Sequence, residues 1–369
     1  MASSKRVLLA ISSLAGGGAE RVVSVWAGEL AERGYEVAIF VLTRREGEYP
    51  VSPDVTIYSV GATKEEYLST SYIGRYRKMR AILRNFAPDV VISFLFNAQL
   101  WMMLSSIGMG HKRVDTVRIN PWEMEKSFGR VSRALWRLCF TTADGILIQT
   151  ESQRGWFKGR DGRKCVVVPN PIASAYTQME RVPAAESVVN LVAAGRLCPQ
   201  KNYEMMIDGF AKAASRHPEL RLRIYGDGSQ EYADHLAEHI RSHNLASKIQ
   251  LMGRSSSMAD VYRSADLFLM TSDYEGLPNS LLEAMACGLP SISTDCLTGP
   301  ADVIESGYNG FLIPVGDSDA LAEAVCRVVE MSRAERDEIS EAARNRILSH
   351  CSEEKSLCGL CDLIERVTK

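Results

Sequence analysis

Short apolar runs, each closed by a glycine, a proline or a polar turn, recur along this chain and restrict its fold more than any other feature. In the first half they fall within 7–11, 36–42, 89–95, 116–119, 144–150 and 164–171; in the second, within 191–194, 222–228, 249–254, 267–270, 290–295 and 309–314. Runs this short and this apolar read as strands buried on both faces, the kind that parallel sheets require. Helical patterns separate them, and alternating strands and helices argue an α/β architecture. The alternation lapses once, at 171–188, where Pro171, Pro183 and a polar, alanine-rich run carry no periodicity. It then restarts, which predicts two doubly wound parallel-sheet domains, 1–170 and 189–350, joined by a linker over 171–188. The segment 351–369 carries Leu357, Leu360, Ile364 and Val367 at helical spacing and predicts an amphipathic last helix.

The densest chemistry follows the run Leu267-Phe268-Leu269-Met270. The segment Ser272-Asp273-Tyr274-Glu275-Gly276-Leu277-Pro278-Asn279-Ser280 leads into Leu281, Leu282, Met285 and Ala286 at helical spacing, and Gly288 with Pro290 ends the helix. Pro278 suits the first turn, where its missing N–H costs nothing. Glu275 stands in the loop and Glu283 eight positions on, about one turn inside the helix. Both can therefore face a ligand over the helix N-terminus, whose unpaired N–H groups and partial positive charge suit a phosphate.

A second cluster follows the strand at 191–194. Gly195 turns the chain, and Arg196 and Lys201 project from one tight loop before the next helix. A guanidinium fork and an ammonium point charge together suit a diphosphate. Gly226-Asp227-Gly228 closes the following strand, and Met252, Gly253 and Arg254 end the one after. Near the N-terminus, Gly16, Gly17 and Gly18 lie between the first strand and a helix bearing Val22, Val23, Trp26 and Leu30, an arrangement that lets backbone N–H groups approach an anion. It is not the G-x-G-x-x-G dinucleotide fingerprint, because the three glycines are consecutive and no acidic residue follows the second strand at a suitable point.

Residues 72–86 predict a helix with Arg77, Arg80 and Arg84 on one face, Arg75 and Lys78 beside them, and Ile73, Tyr76, Met79, Ile82 and Leu83 on the other. Such a face suits an anionic membrane surface or an acceptor's pyrophosphate. Residues 111–164 add 12 Lys/Arg against 6 Asp/Glu, while the whole chain is nearly neutral at −2, which speaks against nucleic acid as a bulk-charge partner. No apolar run approaches the roughly 20 residues needed to span a bilayer. The segment 1–6 leads into a strand without a secretory-type apolar core, and the nine scattered cysteines suit a reducing compartment. A cytoplasmic chain docked on the inner face of the plasma membrane is the expected setting. Cys358-x-x-Cys361 lacks the further ligands a zinc site needs, and Asp317-Ser318-Asp319 opens a helix as a cap would.

Taken with the Glu-x7-Glu spacing, Gly195-Arg196-Leu197 to Lys201-Asn202, Gly226-Asp227-Gly228 and the opening Gly-Gly-Gly-Ala-Glu-Arg, the chain resembles the retaining glycosyltransferases of family 4 (glycosyl transferases group 1), strongest over 190–315. The resemblance implies a GT-B fold, two Rossmann-like domains with a cleft between them, a hinge near 170–187 and a last helix returning to the first domain. It implies transfer of a hexose or N-acetylhexosamine from a nucleotide diphosphate sugar, with UDP the expected carrier, to a saccharide acceptor linked to a polyprenyl diphosphate. Glu275, Arg196 and Lys201 would be the catalytic groups. The donor would be held by Gly16, Gly17, Gly18, Gly226, Met252, Gly253, Arg254, Gly276, Leu277, Pro278, Asn279, Ser280 and Glu283, with Glu283 on the ribose. The acceptor would meet Arg77, Arg80, Arg84, Arg118 and Asn120. No metal and no cofactor is implied, since fixed cations and N–H donors can stabilise a leaving diphosphate. Relatives place a histidine after the strand at 116–119, where this chain has Arg118 and Asn120. A sugar-nucleotide epimerase of the same fold and a non-catalytic partner stay open as alternatives, and a nicotinamide-dependent oxidoreductase is disfavoured by the missing fingerprint.

Overall fold

The apolar runs form two separate parallel sheets. The computed structural model describes residues 4–178 and 185–369, and the chain divides into one unit of Met1–Pro171 with Glu354–Lys369 and another of Ile172–Glu353. The linker expected over 171–188 includes a short helix, Ser174–Thr177; residues 179–184 of it lie outside the described residues.

The first unit holds β1 (Arg6–Ile11), β2 (Glu36–Thr43), β3 (Thr56–Gly61), β4 (Val90–Ser93), β5 (Lys112–Thr116), β6 (Gly145–Ile148) and β7 (Cys165–Val167). Their order across the sheet is β3-β2-β1-β4-β5-β6-β7. Side chains alternate between faces as strand geometry requires. Val7, Leu9 and Ile11 pack with Trp26, Leu30, Leu357, Leu360 and Ile364, whereas Leu8 and Ala10 pack with Phe40, Met79, Leu83 and Phe86. The helix Glu353–Thr368 thus completes the core of the first unit. Trp26 Nε1 donates to Ser356 Oγ at 3.0 Å, and that hydroxyl donates to Pro169 O at 2.7 Å.

Two strands differ from the sequence expectation. β3 is an edge strand whose first residues are only partly covered, so it shows no unbroken apolar run. β5 occupies 112–116 rather than 116–119, which places Arg118 beyond the strand. Its polar residues are tolerated because they pair internally: Arg113 Nη2 donates to Cys139 O at 2.6 Å and Thr142 Oγ1 at 2.7 Å, and Ser93 Oγ donates to Asp115 Oδ1 at 2.7 Å.

The second unit holds β8 (Asn190–Ala194), β9 (Arg221–Tyr225), β10 (Ile249–Gly253), β11 (Leu267–Met270), β12 (Ser291–Thr294) and β13 (Phe311–Ile313), in the order β10-β9-β8-β11-β12-β13. Leu191, Leu267 and Leu269 face one core with Ile207, Phe210 and Leu321; Val192, Phe268 and Met270 face another with Leu281, Leu282 and Met285. In each sheet the chain winds outward from one strand and then returns to that strand's other side, between β1 and β4 in the first unit and β8 and β11 in the second. Loops at the carboxyl ends of such strand pairs diverge, and that divergence makes the usual ligand crevice of an open α/β sheet.

Candidate active site

At the β8/β11 divergence the two loops singled out from sequence meet. Asp273 N donates to Gln200 O at 2.9 Å, Gln200 Nε2 to Tyr274 O at 2.7 Å, and Asn202 Nδ2 to Asp273 Oδ1 at 2.8 Å. Thr271 Oγ1 lies 3.0 Å from Lys201 O and 2.9 Å from Asn202 O. Across this zipper Lys201 Nζ donates to Glu275 Oε1 at 2.5 Å, with the two side chains only 16% and 10% exposed. A charged pair so shielded is strongly coupled and fixes both loops. Arg196, from the same loop, is exposed and has neither a hydrogen bond nor an ion pair among the described residues. One cation is therefore committed to a carboxylate and the other is free to meet an anion.

The helix after the loop is Asn279–Ala286, with Pro278 as its N-cap rather than in its first turn. Glu283 is buried inside it, 3.5 Å from the Tyr262 hydroxyl. Thr298 Oγ1 donates to Glu275 O, which ties the loop to the segment after β12. Gly299 has φ +99°, and a Cβ there would lie 2.2 Å from Gly276 O. Gly276 and Gly299 are thus in backbone contact, and this seats the 275–279 turn.

The other glycines have equally specific causes. A Cβ at Gly226, whose φ is +143°, would lie 1.8 Å from Gly195 O, and one at Gly228 would lie 2.0 Å from Leu197 O. Gly195 N donates to Tyr225 O at 2.9 Å, Leu197 N to Asp227 O at 2.8 Å, and Gly226 N to Gly253 O at 2.8 Å. The loops after β8, β9 and β10 are thereby stacked backbone on backbone, with Arg254 paired to Asp227 and Met252 42% exposed beside them. Gly226 makes this stacking physically possible. Thr271, Gln200, Thr298 and Gly299 complete the site beside Asn202 and Asp273 of the motif segments, and only their position at strand ends could have marked these four in the sequence.

In the first unit the glycine loop follows β1, and Gly17 is the N-cap of the helix Gly18–Glu32. The carboxylate of Glu20 covers it: a Cβ on Gly17 would lie 2.2 Å from Glu20 Oε2. That helix start is therefore already faced by an anion of its own chain. Arg118 is more telling. Its guanidinium lies 4.7 Å from the Trp26 ring and 4.9 Å from the Phe94 ring, and Nη1 donates to Asn170 Oδ1 at 2.9 Å. Nε and Nη2 are buried without a hydrogen-bond partner. Burial with no carboxylate to offset it pulls the Arg118 pKa down to about 9. Among the described residues, two donors of this guanidinium thus have no partner and no carboxylate faces it.

Other acceptor-side expectations need correcting. Asn120 is buried and caps the helix Pro121–Ser127, its Oδ1 accepting from Trp122 N at 3.0 Å and Glu123 N at 3.3 Å, so its acceptor capacity is used locally. Arg80 donates to Ser105 O at 3.1 Å and Ile107 O at 2.7 Å, closing the end of the neighbouring helix Phe96–Ser105. Arg75, expected beside the cationic face, is buried against Tyr67 and donates to Tyr67 O and Leu68 O at 3.0 Å. The solvent face of the helix Tyr72–Phe86 instead carries Ile73, Arg77, Ala81 and Arg84. Leu68, Tyr72 and Ile107 are exposed large apolar side chains of the same unit. Among the described residues no helix is long and apolar enough to cross a membrane.

Comparison with known proteins identifies the family and the fold. The family described as "Glycosyl transferases group 1" matches residues 177–346, and the "Glycosyl transferase 4-like domain" matches residues 17–171. The chain is 34% identical over 190 residues to an exopolysaccharide phosphotransferase of Streptomyces coelicolor, a match that covers half of this chain and a fifth of that protein. It is 29% identical to an amylovoran biosynthesis glycosyltransferase of Erwinia amylovora, over 79% of this chain and 81% of that one. It is 24% identical, over 95% and 96% of the two chains, to a Campylobacter jejuni α-1,4-N-acetyl-D-galactosaminyltransferase named for an undecaprenol-diphosphate-linked saccharide. In fold it is similar to Anabaena HepE crystallised with UDP, with a TM-score of 0.81, 17% identity and coverage of 98% and 100%. Two Rossmann-like parallel-sheet units, the two matched domains and these relatives together place the chain in the group 1, family 4-type glycosyltransferases of GT-B fold.

Proposed function

We propose that this glycosyltransferase moves a hexose or N-acetylhexosamine from UDP-sugar to a saccharide carried on a polyprenyl diphosphate, with retention at the anomeric carbon. The observation that carries the reading is the junction at β8/β11: Lys201 paired with Glu275 at 2.5 Å, Arg196 unengaged beside it, and Glu283 buried in the following helix. Breaking a sugar–diphosphate bond places negative charge on the departing phosphate. Arg196 and Lys201 meet that charge as fixed cations, so the reading requires no metal. When the diphosphate arrives, Lys201 is shared between it and Glu275, and the carboxylate turns to the transferred sugar. Glu283 takes the ribose hydroxyls, and the backbone of Gly276, Leu277, Pro278, Asn279 and Ser280 takes sugar hydroxyls and phosphate. Met252, Gly253 and Arg254 sit where a base would stack against the 226–228 turn. UDP in the HepE structure supports the carrier, and the lipid-linked saccharide in the Campylobacter relative's name supports the acceptor.

On the acceptor side, Arg118 supplies the anion contact and stands in for the histidine of relatives. The Ile73–Arg77–Arg84 face, with Arg130, Val131, Arg133 and Leu138 exposed on the helix Arg130–Thr142, has the mixed cationic and apolar character of a peripheral surface on anionic lipid. The test is release of UDP from a panel of UDP-sugars, with and without short-chain polyprenyl-diphosphate saccharides, and proton NMR of the product anomer. Acceptor-dependent release with a retained α-configuration supports the proposal. Interconversion of the UDP-sugar without an acceptor would assign an epimerase instead, and an inverted product would remove the retaining assignment.

A further inference from the structure

A second cluster of polar side chains lies in the second unit, on the helices that follow two of the loops described above. The helices Tyr203–Arg216 and Gln230–Ser242 pack side by side. The second carries His235 and His239, with His243 as its C-cap, four residues apart and on one face. Opposite stand Glu204 and Asp208, also four apart. His235 Nε2 lies 3.1 Å from Glu204 Oε1, a carboxylate that also accepts from the Tyr232 hydroxyl at 2.7 Å. His239 Nε2 lies 2.7 Å and His243 Nε2 3.2 Å from the same oxygen, Asp208 Oδ1. The ligand atoms of Asp208, His239 and His243 all fall within 4.8 Å of one another.

The tautomer of His243 decides what this cluster wants. Its Nδ1 lies 3.2 Å from the carbonyl oxygen of His239, which can only accept, and 3.3 Å from Ser242 Oγ, whose own hydrogen goes to that same carbonyl at 2.8 Å; Nδ1 therefore carries the hydrogen. In the neutral ring Nε2 is then an acceptor, yet it faces Asp208 Oδ1, another acceptor. Only a cation between them, a second proton or a metal ion, satisfies both. An imidazole whose far N–H is held by a backbone carbonyl is the usual form of a metal-ligating histidine. Two histidines at i and i+4 on one helical face make a ready chelating pair. Bonds of about 2.0–2.1 Å set ligand edges of roughly 3.3 Å in a tetrahedron, inside the spread found here. The side chains are 25% to 37% exposed, so a fourth position is open to water.

We propose that Asp208, His239 and His243 form a surface site for a divalent transition-metal ion of the zinc class. Two imidazoles and one carboxylate select zinc, nickel or copper over magnesium or calcium, which favour oxygen donors. The ion would staple the helix that follows the Arg196–Lys201 loop to the helix that follows the 226–228 turn. It therefore stabilises the second unit and takes no part in the chemistry.

The test uses tag-free, chelator-treated protein titrated calorimetrically with ZnCl2, with CoCl2 absorption spectra as a second readout. One equivalent should bind in the presence of millimolar Mg2+, raise the unfolding midpoint, and survive in His235→Ala and in Cys358→Ser/Cys361→Ser. Affinity should fall about tenfold or more in both His243→Ala and Asp208→Asn, with circular dichroism unchanged. No stoichiometric binding by the wild type would overturn the site, leaving the second proton as the bridging cation. Binding that persists in both ligand variants, or that disappears with the cysteines, would overturn it equally.

Discussion

Lys201 and Arg196 leave the same short loop and meet different fates, which makes their variants separable. Lys201→Ala strands the shielded Glu275 carboxylate and should cost about 3 kcal/mol of unfolding free energy, while Lys201→Met with Glu275→Gln removes both charges and should cost much less. Denaturant midpoints of the two single variants and the double variant check this. Arg196→Ala should leave the midpoint unchanged and lower kcat by about 100-fold, as expected for losing one group that meets developing charge. At Asp115, burial pushes the carboxyl up to about 6, against about 3.9 in an unfolded chain. Between those pH values the native state holds a proton that the unfolded chain has released, so stability falls as pH rises through the window. Asp115→Asn should remove that slope. Midpoints of the two proteins, compared from pH 4 to 7, should diverge across the window and run parallel above pH 6.

At the scale of elements, what could be read from sequence was what depends on local pattern. The apolar strands of both sheets, the helix over 72–86 and the motif-bearing loops all follow from runs of neighbouring residues. β5 was misplaced because its polar residues are neutralised by partners 22 to 29 positions away, at Ser93, Cys139 and Thr142. The faces of the 72–86 helix were misassigned because Arg75 and Arg80 satisfy backbone carbonyls of other segments, which periodicity cannot reveal. The difference is measurable. Arg80→Ala should lower the unfolding midpoint, whereas Arg77→Glu with Arg84→Glu should leave it in place and weaken sedimentation with anionic vesicles, more so at low salt. In the second unit, Gly226→Ala has no room for its Cβ and an unfavourable φ, and should cost about 2 to 3 kcal/mol or more of unfolding free energy.

At the scale of the whole molecule, the proposed function has a chain of net charge −2 act through cations at a few points. These are Arg196 and Lys201 at the β8/β11 junction, Arg118 between two aromatic rings, and the basic helices of the first unit. The proposed function turns on the junction in the second unit binding a nucleoside diphosphate. Thermal unfolding with UDP, GDP, ADP and NAD in parallel, for wild type and Arg196→Ala, tests it most directly. A ligand present at 100 times its Kd adds about 2.7 kcal/mol, which is readily seen. UDP should shift the midpoint upward, and Arg196→Ala should diminish that shift although the variant unfolds like the wild type without ligand. A shift with NAD alone, or none with any nucleoside diphosphate, would contradict it.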